Sequence, residues 1–145
     1  MKIQTKDFYH GAALTQIVEH PSFTALNKAD EKYGHYIVNH DIRLIVKYSS
    51  PGNGPWRFTF NSDDLETIQN DIGDDVSFYA CLVCGAETIC LLDEEDLKFI
   101  IDTESNEAQW VRVDSPVGKS MRVSGSQGKL NHTVAHNVFP NRMFE

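Results

Sequence analysis

Apolar positions along the chain recur with two different periods. Between Asp7 and His20, Leu14, Ile17 and Val18 fall at helical spacing, with Ala12 and Ala13 beside them and Pro21 as the stop. This predicts a helix over 7–20, and a second short helix is expected after Ser22, through Ala25 and Leu26. From Tyr33 the period becomes two. Tyr36–Val38 is β-prone and Asn39-His40-Asp41 supplies turn residues. Ile42, Leu44, Val46 and Tyr48 then alternate with Arg43, Ile45 and Lys47, which predicts a hairpin. Ser49 to Pro55 is almost entirely turn residues. Trp56, Phe58 and Phe60, alternating with Arg57 and Thr59, then read as a third strand.

Ser62 reads as the N-cap of a further helix. Asp63, Asp64 and Glu66 stand where the helix dipole favours acids, Leu65, Ile68 and Ile72 line one face, and Gly73 closes it. Val76–Val83 and Thr88–Leu92 are hydrophobic strands joined by a turn at Cys84-Gly85-Ala86. Asp93 caps a third helix, with Asp96 three residues on and Leu97, Ile100 and Ile101 as its buried stripe. Two more strands are expected at Gln109–Val113 and Ser120–Val123. The tail over 127–145, with Phe139, Pro140 and Met143, is expected to dock on the body. This order predicts an α+β fold, a largely antiparallel sheet of hairpins with about three helices packed against it, in a single domain over 1–145.

Composition narrows the class. A 145-residue chain with 41% hydrophobic and 23% charged residues is globular rather than disordered. Its longest apolar runs, such as Ala80–Val83 and Ile89–Leu92, are too short to cross a bilayer, and Lys2 leads into polar residues rather than an apolar leader. A cytoplasmic protein without a membrane partner is expected. Cys81, Cys84 and Cys90 are odd in number and lie in strand-like sequence, which suits reduced, packed thiols. The net charge of −8 argues against direct nucleic-acid binding. That charge is uneven. Fourteen of the 21 acidic residues lie between Asn61 and Glu107 beside a single lysine, Lys98, so the other twelve cations share the rest of the chain with seven acids.

Several phrases resemble those of small bacterial proteins carried by mobile or accessory gene pools: Tyr36-Ile37-Val38-Asn39, Lys47-Tyr48-Ser49-Ser50, Pro55 to Phe60, Cys84-Gly85 and Phe139-Pro140. The resemblance spans most of the chain and implies a family without an agreed activity, so it carries no function across. The order helix-strand-strand-strand-helix-strand is also similar to the core of restriction-endonuclease-like nucleases. Their metal chemistry needs an acid on the second strand, and an acid and a lysine two residues apart on the third. Asp41 stands near the second strand, but Trp56–Phe60 has neither. That comparison implies a degenerate nuclease-like fold without a catalytic centre.

Candidate sites are few. Cys81 and Cys84 have zinc-knuckle spacing, but no second pair of ligands follows at a familiar distance, and residues three apart in a strand face opposite ways. His132 and His136 have the i, i+4 spacing of a helical metal pair without a sequence that insists on a helix. Nothing here implies a metal or a cofactor. Lys47, Tyr48, Ser49, Trp56 and Arg57 flank the Gly/Pro loop and are the candidate site for a small or nucleotide-like anion. Asp63, Asp64, Glu66, Asp93, Glu94 and Glu95 are the candidate acidic docking surface, for a basic protein or for the basic tail residues Lys119, Arg122, Lys129 and Arg142 of a second copy. The expected function is a non-enzymatic binding or regulatory role through that surface. Binding of a small ligand at the loop, or an enzyme site assembled from distant residues, are the alternatives.

Overall fold

The computed structural model describes residues 1–73 and 75–145. In chain order its elements are α1 (Thr5–Val18), β1 (Leu26–Lys28), β2 (His35–Val38), β3 (Ile42–Ser49), β4 (Trp56–Phe60), α2 (Ser62–Asp71), β5 (Ser77–Cys84), β6 (Thr88–Asp93), α3 (Glu94–Ile100), β7 (Gln109–Asp114), β8 (Arg122–Gly125) and β9 (Gly128–Lys129). Two short 3-10 turns, His136–Val138 and Asn141–Phe144, end the chain. The class is α+β, and nearly every strand pairing is antiparallel.

The strands divide between two sheets rather than forming one. The first has the order β1-β2-β3-β5-β6 and the second β4-β7-β8-β9. The division follows from β5, whose sequence Ser-Phe-Tyr-Ala-Cys-Leu-Val-Cys is apolar on both faces. Alternate side chains point opposite ways, so Phe78, Ala80, Leu82 and Cys84 enter one core and Cys81 and Val83 another. β3 lies beside it in parallel, from Ile42 opposite Ser77 to Ser49 opposite Cys84. It is split in the same way, Ile45 entering the first core and Ile42, Leu44 and Val46 the second. The first core is closed by the second sheet, through Trp56, Phe58, Phe60, Val111 and Val113, and by Leu65 and Ile68 of α2 and Leu97 and Ile100 of α3. The second core is closed by Ala13 and Ile17 of α1 and by Phe139 and Met143 of the tail. Helix, sheet and sheet-plus-helices thus form three layers.

Two local expectations give way to tertiary contacts. The segment after Ser22 is extended and becomes β1, because Asn39 captures it. The Asn39 Oδ1 accepts from the Thr24 amide at 2.7 Å, the Thr24 hydroxyl at 2.9 Å and the Ala25 amide at 3.3 Å, while its Nδ2 donates to the Ser22 carbonyl at 3.1 Å. The Asn39 amide in turn donates to the Ala25 carbonyl at 2.7 Å, and the segment continues as a strand paired with β2. In α1 the buried stripe is His10, Ala13 and Ile17, and Val18 is exposed. His10 fits because Gly34, at φ +83°, has no side chain; a Cβ there would lie 3.0 Å from the His10 ring and 2.8 Å from the Val46 carbonyl. Burial, reinforced by the Lys6 charge, lowers the His10 pKa to about 4, so the ring packs neutral.

α2 is held to the first sheet by charge as well as by its apolar face. Its N-cap is Asn61, one residue before the expected Ser62, with Asn61 and Asp64 exchanging hydrogen bonds at 2.9 and 3.0 Å. Seven residues on, Asp71 accepts from the buried His35 Nε2, and His35 Nδ1 lies 3.1 Å from Asp30. Burial by itself lowers the His35 pKa, but the contacts to Asp71 and Asp30 outweigh it and the net shift is upward. The clamp therefore contributes fully below about pH 6.5 and is lost as pH rises through the elevated folded value. The urea midpoint of the native chain is expected to fall over that range relative to that of His35→Gln. Parallel pH profiles of the two proteins would refute the clamp.

Candidate binding faces

The five residues flanking the Gly/Pro loop are not brought together. Lys47 points toward the first core, its Nζ 2.9 Å from Asp64 Oδ2 and 5.2 Å from the Phe60 ring centre. Tyr48 points to the opposite side of the sheet and stacks on Tyr9, ring centres 4.9 Å apart. The Ser49 carbonyl accepts from the Gly85 amide at 2.8 Å, which ties the end of β3 to the β5–β6 turn. Trp56 is buried, with its indole N–H donating to the Pro51 carbonyl at 2.8 Å. Gly54 lies flat against that ring, where a Cβ would come within 2.9 Å. The loop is therefore a cover over the indole. Arg57, next in sequence, faces outward on the far sheet.

The acidic residues separate into inward and outward sets. Asp64 is buried and bridges Lys32 at 2.8 Å and Lys47 at 2.9 Å. Burial would raise its carboxyl, but the two ammonium groups outweigh that and hold it below the usual carboxylate range. Asp93 caps α3 through the Asp96 amide at 2.8 Å and pairs with Arg142. Glu94 pairs with Lys98 at 2.9 Å. Asp63, Glu66 and Glu95 are exposed. Half of the six thus serve the fold, and so does Arg142 from the basic tail.

The cysteines and histidines are also placed by packing. Cys81 and Cys84 enter opposite cores, and Cys90 joins Cys84. Burial pushes Cys84 up to about 12 and raises Cys81 and Cys90 as well, which disables them as thiolates. His132 reaches Asp96 at 3.1 Å. His136 turns the other way, accepting from the Thr88 hydroxyl at 2.6 Å on Nδ1 and donating to the Lys119 carbonyl at 3.0 Å from Nε2. A carbonyl only accepts, so Nε2 carries the proton. His136 clips the tail to β6 between two shallow clefts of about 290 and 600 Å³ that share Glu87. Among the described residues the side-chain hydroxyl bonded to a histidine ring is thus that of Thr88, rather than a serine or a cysteine thiol.

A different surface is assembled by strand pairing. In the second sheet Arg57 is the direct partner of Arg112, Arg112 of Ser124, and Ser124 of Lys129. Directly opposed residues share a face, so these four form one row across the strands. It lies opposite the core face that carries Phe58, Val111, Val113 and Val123. Thr59 and Trp110 flank the row on one side, and Asp114 and Arg122 on the other. The Arg57 guanidinium sits 4.6 Å from the Trp110 ring centre. Arg57, Arg112, Arg122 and Lys129 are exposed, and the acid among them, Asp114, lies 4.0 Å from Arg112.

No family model, curated protein or solved structure matches this chain. The sheet's outer face therefore has to be read from its own chemistry. Arg112 and Trp110 are not among the candidate residues read from the sequence. Their signal was the alternation of Trp110, Arg112 and Asp114 with Val111 and Val113, and of Arg57 with Phe58. Nothing local said that β4 and β7, some fifty residues apart in the chain, would be neighbours.

Two outcomes follow. Lys47→Ala leaves Asp64 with Lys32 alone and is expected to cost about 1–3 kcal/mol of stability, read from the urea midpoint; an unchanged midpoint would mean the bridge is not structural. The folded chain is expected to resist a thiol reagent at pH 8 under conditions where the unfolded chain consumes three equivalents, and rapid labelling of Cys84 would contradict its burial.

Proposed function

We propose that this chain is a non-enzymatic binding protein that acts through a charged surface, and that its binding face is the outer side of the β4-β7-β8-β9 sheet. The observation that carries the reading is the cross-strand row Arg57, Arg112, Ser124 and Lys129 with Arg122 and Trp110 beside it, in a chain of net charge −8. Arg57 and Arg112 are like charges at directly opposed strand positions, and such pairs repel. An anionic partner relieves that repulsion, so the face suits a partner rich in carboxylates or phosphates.

Exposed Asp63, Glu66 and Glu95 favour a second reading, in which another copy of the chain supplies the carboxylates. A dimer that dissociates in salt and is lost in the double variant Arg57→Glu/Arg112→Glu would assign the face to self-association. Buried thiols with raised pKa values support a reducing, cytoplasmic setting. No helix among the described residues is long and apolar enough to cross a membrane. The proposed kinship with bacterial accessory-gene proteins rests on the sequence phrases alone and adds no activity.

Retention on a polyanion matrix tests the reading directly. A chain with a sequence pI of about 5.1 and evenly spread charge passes through heparin-agarose at neutral pH. This chain is expected to be retained at low salt, and Arg57→Glu/Arg112→Glu to flow through with an unchanged circular dichroism spectrum. Flow-through of the native chain would reject the face as an anion-binding surface.

A further inference from the structure

We infer that the anion bound by this sheet face is single-stranded nucleic acid, with phosphates on the cation row and a base stacked at Trp110. The inference rests on the binding face proposed above and names its partner.

The row runs across four strands, and neighbouring strands are about 4.8 Å apart, so Arg57 and Lys129 are separated by about 14 Å at the backbone. Their side chains line a track for an extended chain of phosphates rather than a socket for one compact anion. Ser124 within the row and Thr59 beside it add hydroxyl donors of the kind that bind phosphate and sugar oxygens. Carboxylates of an acidic protein would satisfy the arginines equally well, but they make no use of Trp110. That indole is half-buried on the same face and carries the Arg57 guanidinium over its ring. An arginine plane and an indole together form the platform on which an unstacked base rests, and every base has a π face. A duplex keeps its base faces stacked on one another, so only a single strand offers both parts. The overall charge of −8 does not forbid this, because exposed charges are largely screened beyond about 8 Å at physiological ionic strength. The charge that a strand lying on this sheet meets is that of Arg57, Arg112, Arg122 and Lys129, offset by Asp114.

The test uses the full chain, fluorescein-labelled twelve-nucleotide oligo(dT) and oligo(U), and polyglutamate as the competing polyanion. Anisotropy is expected to show binding at low salt, with a slope of log affinity against log salt of about −2 to −3 for three to four neutralised phosphates. Oligonucleotide is expected to quench tryptophan emission in the native chain and not in Trp110→Phe, since Trp56 is buried. Trp110→Ala is expected to weaken binding by roughly five- to a hundredfold with the salt slope unchanged. Arg112→Ala is expected to flatten the slope by about 0.7. Polyglutamate binding as tight as oligonucleotide, with tryptophan emission unmoved, would overturn the nucleic-acid inference and leave the anion-binding face standing. Binding of neither polymer by a chain that is monomeric at low salt would overturn both. A salt-sensitive dimer that binds no oligonucleotide would give the face to a second copy and overturn the inference alone.

Discussion

The parallel pairing of β3 with β5 is the constraint from which the rest of the molecule follows. β5 is apolar on both faces, and β3 sends Ile45 to one core and Ile42, Leu44 and Val46 to the other, so each side of the first sheet has to be covered. Parallel neighbours cannot be joined by a tight turn, and the chain has to travel back along the sheet before β5 begins. The return path here, residues 50–76, is not idle. It lays down β4, whose Trp56, Phe58 and Phe60 cover the first core, and α2, whose Leu65 and Ile68 fill the space beside it. Because β4 is spent as a cover, it cannot join the first sheet. It founds the second one, and β7, β8 and β9 add to it in turn.

That division also sorts the charges. Facing the core, α2 offers Asp64 and Asp71, two turns apart, to Lys32, Lys47 and His35 on the first sheet and the loop before it. A carboxylate removed from water is tolerated only when paired and hydrogen-bonded, and these are. The tail is held similarly, by Arg142 on Asp93 and His132 on Asp96. Asp64, Asp71, Asp93 and Asp96, four of the fourteen acids in the middle of the sequence, are thus consumed within the fold. The cations of the second sheet face outward instead, where one acid, Asp114, stands among them. A chain that is acidic on average therefore presents a basic, aromatic face, and net charge is a poor guide to what such a face meets.

The local pattern of the sequence was enough for element types and for facing. Alternation in Trp56–Phe60, the acidic start and apolar stripe of α2, and Asp93 as the cap of α3 each depend on residues within a few positions of one another. The α+β class follows from their order. The tertiary structure decided what depends on distant partners. Asn39 and the pairing of β1 with β2 overrode a weak helical tendency at 22–26. Lys47 went to Asp64 rather than to the loop beside it, because a buried carboxylate exerts a stronger pull than an exposed turn. The proposed binding face belongs to this second group. Arg57 and Arg112 are ordinary outward residues of two amphipathic strands, and pairing brings them opposite each other. Periodicity reports which way a side chain points; only the closing of a non-local sheet decides which side chains point there together.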